Sequence, residues 1–170
     1  MIDLQALLPC ATVWTAHAVT TADVPREAWV AAVTAVRDAG ADHLDLLTAV
    51  DQSPAGFEVL VRLWSVDERW GVHVRTACPR EDARVPTLVA VFAGAAWHER
   101  EITEMFGVAF DGHPDPAPLL LPSGGVVHPL RKEHVLASRT ERDWPGAVDP
   151  ADTGEGGRPS KRRLTPPGAP

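Results

Sequence analysis

Apolar residues recur along the first 110 positions at two different periods, two and about 3.6. Alternation at period two predicts strands over 43–50, 57–66 and 70–76. The last two strands are close enough to form a hairpin that turns around 67–69. A further strand, with poorer alternation, is predicted over 13–20.

A helix is predicted from Pro25 to Ala39. Proline is favoured in a helix's first turn, and Trp29, Val33 and Val36 then form one apolar stripe. Gly40 follows directly and is suited to closing the helix.

A second helix is predicted to end at Gly107, which suits a left-handed C-terminal cap. A helical stretch over 86–92 is expected to run through Gly94 into this helix. At about 100° per residue, four apolar positions share one face. They are Ala95, Ile102, Met105 and Phe106.

The opposite face of this second helix carries Trp97, Arg100, Glu101 and Glu104. Large aromatic residues and arginine are enriched at the centres of protein interfaces, which favours a docking surface. A solvated face with one Arg100 to Glu104 ion pair explains the helix alone equally well. The segment that follows favours docking.

The order of elements is βαβββα, which predicts an α+β fold. We expect a mixed, mostly antiparallel sheet with helices on one face. These elements end near Phe110, so residues 1–110 are predicted to fold as a domain by themselves.

Residues 108–150 contain seven prolines and only short apolar groups, such as Leu119 to Leu121. Such a segment does not form its own core, so 111–150 is predicted to be an extended arm that docks on another protein chain. Residues 151–170 carry a net charge of +2 and are predicted to be a disordered tail.

Charge and hydropathy exclude several classes of function. The chain has a net charge of −7, which disfavours nucleic acid as a partner. Its longest nearly apolar run, 87–97, is too short to cross a bilayer, so direct membrane insertion is not expected. Cys10 and Cys78 stand apart, whereas a zinc or iron–sulfur site needs three or four clustered ligands.

Motifs for catalysis are also missing from the sequence. His98-Glu99 has no second histidine one turn later, and no Walker loop, dinucleotide fingerprint or nucleophile elbow is present. We therefore predict no catalytic residue, cofactor site or metal site in this chain. A stand-alone enzyme that uses Glu101, Glu104 and His113 as acid and base groups is the less favoured alternative.

One long ordered set of residues comprises Glu99 to Glu101, Glu104 to Val108, Phe110, Gly112 to Asp115, Leu119 to Leu121 and His128 to Lys132. This set resembles a known family, the C subunit of the proton-translocating NADH:quinone oxidoreductase, respiratory complex I, also called the 30 kDa subunit family. The resemblance covers about residues 10 to 135. It departs from the family at Ala117 and Pro118, where the family usually carries a basic pair.

The resemblance implies a cofactor-free structural subunit that docks on the quinone-site subunit (the D subunit) and on the B subunit. NADH, FMN, iron–sulfur clusters and quinone would then belong to partner subunits, and the chain would be held at the cytoplasmic face of the cell membrane. Related subunits serve membrane-bound hydrogenases and dehydrogenases with other electron donors, so that alternative stays open. The interface residues expected from the arm and the helix are Trp97, Glu99, Arg100, Glu101, Glu104, Phe106, Gly107, Gly112, His113, Pro114, Leu120, Pro129, Leu130, Arg131 and Lys132.

Overall fold

A computed structural model describes residues 2–121 and 127–135. The predicted tail, 151–170, and much of the predicted arm therefore lie outside the described residues. The elements in chain order are α1 (Leu4–Leu7), β1 (Thr12–Ala16), β2 (Val19–Asp23), α2 (Trp29–Asp38), β3 (His43–Asp51), β4 (Gly56–Ser65), β5 (Trp70–Pro79), β6 (Arg84–Pro86), α3 (Ala95–Phe106) and β7 (Ala109–Asp111), with short 3-10 helices at Arg26–Ala28 and Arg80–Asp82.

Five strands form one mixed sheet in the order β1-β2-β5-β4-β3. All neighbours pair antiparallel except β2 and β5, which are parallel. The β4–β5 hairpin turns between the paired residues Ser65 and Trp70, as the sequence predicted. The α+β fold with a mostly antiparallel sheet is confirmed.

Alternation along β4 explains where the core lies. Phe57, Val59, Val61 and Leu63 are fully buried, whereas the residues between them are half-buried. Side chains of a strand point alternately to opposite faces, so one face of the sheet packs under the helices and the other stays open. Helix α3 contacts β3, and α2 contacts β5.

The predicted strand over 13–20 is instead a hairpin of β1 and β2. The chain reverses at His17 and Ala18, which both have positive φ angles, 50° and 62°. This left-handed backbone matches the tight turn between antiparallel strands, but it usually requires glycine, asparagine or aspartate. Because neither residue signals such a turn, the pattern did not reveal it.

Helix α2 follows the prediction closely. It is preceded by a 3-10 turn at Arg26–Ala28, so Pro25 lies just before the helical region, and Gly40 follows it with φ 106°. Trp29, Val33 and Val36 are completely buried. Their stripe therefore faces the sheet, as the helical spacing predicted.

The predicted helix over 86–92 is not formed. Pro86 ends β6, and the N–H groups of Val91 and Phe92 both donate to the carbonyl of Leu88 in a single turn. Strand β6 instead pairs in parallel with β7, which follows α3. This pairing, continued by the Thr87 N–H that donates to the Asp111 carbonyl, holds the start of the predicted helix in an extended conformation.

The folded unit extends beyond the boundary at Phe110 that the sequence placed. Within the described residues, the chain up to His134 forms one compact unit. The difference arises because residues after Phe110 bind to α3 and to the end of β3 in their own chain. Within the described ranges, no helix is long and apolar enough to span a bilayer.

Candidate interaction surface

Helix α3 has one buried face and one outward face. Its buried residues are Ala95, Glu99, Ile102 and Phe106, which follow at intervals of four, three and four. Two residues expected at the interface, Glu99 and Phe106, are thus enclosed by their own chain and are inaccessible to a partner. The interface prediction was therefore wrong for these two residues. Their helical spacing places both on the buried face with Ala95 and Ile102.

Glu99 is fully buried, and its carboxylate binds the loop before α3. Its Oε1 accepts a hydrogen bond from the Leu88 N–H at 2.6 Å, and its Oε2 lies 2.5 Å from the Thr87 hydroxyl. Burial raises the pKa of Glu99 above its usual value, opposed by these two donors and by nearby His113. No sequence pattern indicated Thr87 as a partner.

His113 joins the segment after β7 to the same helix. The Asp115 N–H donates to His113 Nδ1 at 3.1 Å, which leaves Nε2 to face α3. Nε2 is 3.1 Å from the Ala96 carbonyl oxygen and 3.9 Å from Glu99 Oε2. This polar contact fixes the start of the segment after β7 on α3.

Arg100 binds the next part of the segment after β7. Its Nε donates to the Ala117 carbonyl at 2.7 Å, and its Nη2 donates to the Pro118 carbonyl at 2.8 Å. Ala117 and Pro118 are the positions that depart from the family pattern. Since the contacts use backbone oxygens, they do not require a basic side chain there.

Glu104 binds backbone N–H groups farther along the same segment. It accepts from Leu120 at 2.6 Å and from Leu121 at 3.2 Å, so it does not form the helical ion pair with Arg100 that their spacing allows. Burial works to raise the pKa of Glu104, but the N–H groups of Leu120, Leu121 and Leu119 outweigh it and lower that pKa. A lowered pKa keeps the carboxylate charged as an acceptor.

Residues 128–131 complete the hydrogen bonding at the C-terminal end of α3. The last four carbonyls of a helix lack partners within it, and a cation near them is favourable. Here each carbonyl has a donor close by. The pairs are Thr103 with Gly107 N–H (2.9 Å), Glu104 with His128 Nδ1 (2.8 Å), Met105 with Leu130 N–H (3.1 Å) and Phe106 with Arg131 Nε (2.6 Å).

Gly107 permits this close approach. It ends α3 in the left-handed conformation at φ 74°, as predicted. A Cβ at this position would lie 2.3 Å from Arg131 Nη2 and 2.6 Å from His128 Nε2. Both the backbone conformation and the adjacent side chains therefore favour glycine.

The chain at Lys132 is fixed to the sheet by Asp51, the last residue of β3. Its buried carboxylate accepts from the Lys132 N–H at 2.9 Å, the Ser53 N–H at 2.8 Å and Arg80 Nη2 at 2.7 Å. Arg80 also pairs with Glu133 at 3.1 Å. Burial works to raise the pKa of Asp51, but these donors and the Arg80 charge lower it overall.

Asp51 and Arg80 are structural residues that the sequence analysis missed. They are 29 positions apart, and each is over 50 positions away from Lys132 or Glu133. Neither belongs to a motif or to an amphipathic pattern. Their only sequence signal is a carboxylate at the end of a strand that is otherwise apolar.

We call residues 112–121 and 127–135 the return segment. It leaves several expected interface residues accessible beside α3. Exposed fractions are 68% for Trp97, 56% for Leu120 and 53% for Leu130. Glu101 is also exposed, on the same helix face as Trp97. We call Trp97, Glu101, Leu120 and Leu130 the α3 surface.

The other expected interface residues have mixed positions. Those exposed are Gly112, Pro114 and Lys132, and those only partly accessible are Arg100, Glu104, Gly107, His113, Pro129 and Arg131. The second group includes most of the side chains that bind inside the chain. The large apolar side chains among the expected interface residues that remain accessible therefore lie on the α3 surface.

A family match covers both parts of this arrangement. The model of the family described as "Respiratory-chain NADH dehydrogenase, 30 Kd subunit" matches residues 22–140. The chain belongs to this family. The match contains both α3 and the return segment.

Curated relatives are similar over about half of the chain. The NADH-quinone oxidoreductase C/D subunit of Citrobacter koseri is 42% identical over 101 residues, which are 59% of this chain and 16% of that protein. The protein of the same name from Psychrobacter sp. is 40% identical over 92 residues, 54% of this chain and 15% of that one. The chain therefore matches a small part of each relative's length.

Two solved structures share the fold. A trypsin-resistant fragment of Nqo5 has a TM-score of 0.61 at 25% identity, covering 66% of this chain and 93% of that one. A chain from the membrane-bound sulfane sulfur reductase, an archaeal respiratory membrane complex, has a TM-score of 0.69 at 22% identity, covering 86% and 95%. The second likeness concerns the fold alone.

The geometry does not favour the acid–base alternative. Glu104 and His113 are engaged with backbone groups, and Glu101 lies on the exposed face of the helix. A general acid or base needs a free position beside a substrate. In the part of the chain that the structure describes, no three histidine, cysteine or acidic side chains are grouped as metal ligands.

Proposed function

We propose that the chain is a cofactor-free structural subunit in the peripheral arm of a proton-translocating NADH:quinone oxidoreductase. It docks on the quinone-site subunit (the D subunit), which it stabilises, with the B subunit as a further neighbour. Membership of the 30 kDa subunit family supports the class of complex. The chain is held at the cytoplasmic face of the membrane through these partners.

The observation that carries the proposal is the exposure of Trp97 on a rigid support. Its side chain is 68% exposed, while the buried and charged groups around it bind within the chain. A large aromatic side chain on a pre-organised surface suits the centre of an interface, because docking then orders few additional groups. Leu120 and Leu130 extend the apolar area.

The names of the relatives support the quinone-site subunit as the partner. Several carry the joint designation C/D, and this chain matches only 15 or 16% of their length. A protein that carries both subunits in one polypeptide keeps them near each other. We infer that this chain lies beside the D subunit in the same way.

The cofactors of the reaction belong to the partner subunits in this proposal. NADH, FMN, iron–sulfur clusters and quinone require phosphate-binding loops, clustered thiolates or an enclosed pocket. The residues of this chain contribute position instead: Arg100 and Glu104 hold the return segment, which presents Leu120. The role in electron transfer is therefore to keep a catalytic neighbour in place.

A second assignment is a homologous subunit of a membrane complex with another electron donor. The similar fold of a chain in the membrane-bound sulfane sulfur reductase supports this second assignment. Identification of the subunits that co-purify after mild membrane solubilisation distinguishes the two. Subunits that bind NADH and FMN support the first assignment, and hydrogenase-like or sulfur-reducing subunits support the second.

The docking role is tested with Trp97→Ser in the assembled complex. Loss of a central aromatic anchor costs about 2 kcal/mol or more of binding, which lowers association at least about 30-fold. We expect less of the quinone-site subunit to co-purify, and quinone reduction to fall with it. The melting temperature of the free chain should hardly change, because Trp97 is exposed.

Val66→Ser is the matched control, since Val66 is 61% exposed at the turn between β4 and β5. It should leave both assembly and quinone reduction unchanged. Full recovery of the quinone-site subunit with the Trp97→Ser chain would contradict the docking role. Unfolding of the free Trp97→Ser chain would instead show that the indole supports the fold.

A further inference from the structure

A second candidate binding site lies at the end of the sheet that is remote from Asp51. Strands β2 and β5 pair over only three positions, from Thr21–His73 to Asp23–Arg75. Before these positions the two strands separate and leave a cleft of about 510 Å³, closed on another side by α1. We call it the sheet-end cleft. It shares no residue with the α3 surface.

The floor of the cleft is aromatic. The Trp64 indole lies directly over the backbone of Gly71, where a Cβ would come within 2.3 Å of the ring atom Cε3. The Arg62 guanidinium lies 5.6 Å from the centroid of the same indole. Val19, which is 38% exposed, forms part of the apolar wall.

The cleft also holds a cation, Arg69, to which the described part of the chain supplies no side-chain partner. Arg69 makes no side-chain hydrogen bond or ion pair with any described residue, although every other arginine in the described ranges has such a partner. The partners begin with Asp82 for Arg26, Asp38 for Arg37, Asp45 for Arg62, Asp23 for Arg75, Asp51 for Arg80, Asp111 for Arg84, Ala117 for Arg100 and Phe106 for Arg131.

Two acidic residues near the cleft, Glu68 and Asp3, have hydrogen-bond partners other than Arg69. Glu68 accepts a hydrogen bond from Trp70 Nε1 at 3.1 Å, and Asp3 accepts from two backbone N–H groups at the start of α1. Burial, with the Arg62 charge, lowers the pKa of His73, which favours a neutral imidazole in the wall. The cleft thus combines apolar walls with guanidinium groups on a chain whose net charge is −7.

We propose that the sheet-end cleft binds a short acidic segment of a neighbouring polypeptide that carries one large apolar side chain. The apolar side chain lies against Trp64 and Val19, and carboxylates of the segment pair with Arg69 and with the exposed side of Arg62. A volume of about 510 Å³ is within the range of small binding sites and exceeds what one side chain needs. Guanidinium and carboxylate groups are complementary in charge and geometry.

The experiment titrates the isotope-labelled full chain with the peptide acetyl-Glu-Leu-Glu-Phe-Glu-amide and follows amide shifts by NMR. We expect saturable shifts at Thr20 and Gly71, with a Kd below about 1 mM. A peptide with glutamine at every glutamate position should bind about fivefold more weakly. A lysine peptide should cause no saturable shift at these amides.

Variants of the full chain locate the contact. Arg69→Gln should weaken binding of the acidic peptide about fivefold, and Val19→Glu should abolish it by adding a negative charge to the wall. Arg37→Gln is the matched control, because Arg37 lies on α2 and pairs with Asp38. It should leave the Kd unchanged.

Three results would overturn the proposal. They are a lack of saturable shifts at Thr20 and Gly71, equal binding of the acidic and lysine peptides, and equal binding by the Arg69→Gln and wild-type chains. Unchanged amide spectra of the free variants show that they are folded. Failure here leaves the α3 surface unaffected, since the Trp97→Ser experiment tests different residues.

Discussion

The return segment on α3 and the sheet-end cleft use arginine in opposite ways. Arg100 donates to the carbonyls of Ala117 and Pro118, and its side chain is only 17% exposed. Arg69 is exposed and has no side-chain partner within the described residues. One guanidinium has its hydrogen bonds inside the fold, whereas the other keeps them available for a ligand.

This difference separates residues that stabilise the fold from residues that stay accessible on its surface. A buried polar group without a partner costs about 1–3 kcal/mol, so buried Glu99 and Asp51 must be satisfied by their own chain. Exposed groups carry no such cost. Many residues of the family pattern therefore fix the return segment, and the proposed docking rests on exposed side chains such as Trp97.

The largest expected effect comes from ending the chain after Phe110. The sequence alone predicted that this fragment folds independently. The structure leads to the opposite expectation, because the cut removes His113 from Glu99, the Lys132 N–H from Asp51 and the donors for the end of α3. We expect a loss of at least about 3 kcal/mol in the free energy of unfolding, measured with urea.

A chain that ends after Val135 is the control for this truncation. It keeps the return segment, so its unfolding midpoint should match that of the full chain. Equal midpoints for the fragment that ends after Phe110 and for the control would show that the return segment contributes nothing to stability.

A smaller, pH-dependent effect is expected from Asp51→Asn. The pKa of Asp51 is lowered on folding, so its charge stabilises the fold above the unfolded pKa of about 4. That stabilisation is lost as the pH falls through the folded pKa. Asp51→Asn should cost about 1–2 kcal/mol near neutral pH, and the difference from wild type should shrink below about pH 4.

Urea unfolding at several pH values measures this effect, with Asp67→Asn as the control. Asp67 is exposed in the β4–β5 turn, so its substitution should change the free energy of unfolding by less than about 0.5 kcal/mol at every pH. A constant difference between Asp51→Asn and wild type across the acidic range would contradict the charged role of Asp51.

The smallest effects compare the two arginines directly. Arg100→Gln removes two hydrogen bonds to the return segment and should cost the free chain about 0.5–1.5 kcal/mol. Arg69→Gln removes no hydrogen bond or ion pair with a described residue and should cost less than about 0.5 kcal/mol. Thermal unfolding of both variants measures the contrast. Equal losses would show that Arg100 contributes no more to the fold than an exposed side chain.

The central elements were predictable because their signals are local. Alternation located β3, β4 and β5, and one apolar stripe located α2. Gly107 was recognised as the end of α3 because a left-handed cap favours glycine. These features depend on neighbours a few positions apart, which the sequence shows directly.

The errors have specific physical causes. The turn at His17 and Ala18 uses residues that seldom adopt positive φ, so β1 and β2 appeared as one strand. Glu99 was expected at an interface because it belongs to the family motif with Arg100 and Glu101. Its position on the face of Ile102 should have carried more weight, since helical spacing decides burial.

Periodicity and an ordered motif are properties of the linear chain, so they were enough for the α+β class, the family resemblance and the limits of the central elements. The course of the chain after Phe110 is a property of the folded molecule. Its contacts join Lys132 to Asp51 and His113 to Ala96 across separations that no pattern encodes. The reason is that a polar group's partner is chosen by proximity in the fold, whereas the sequence specifies only that a partner is needed.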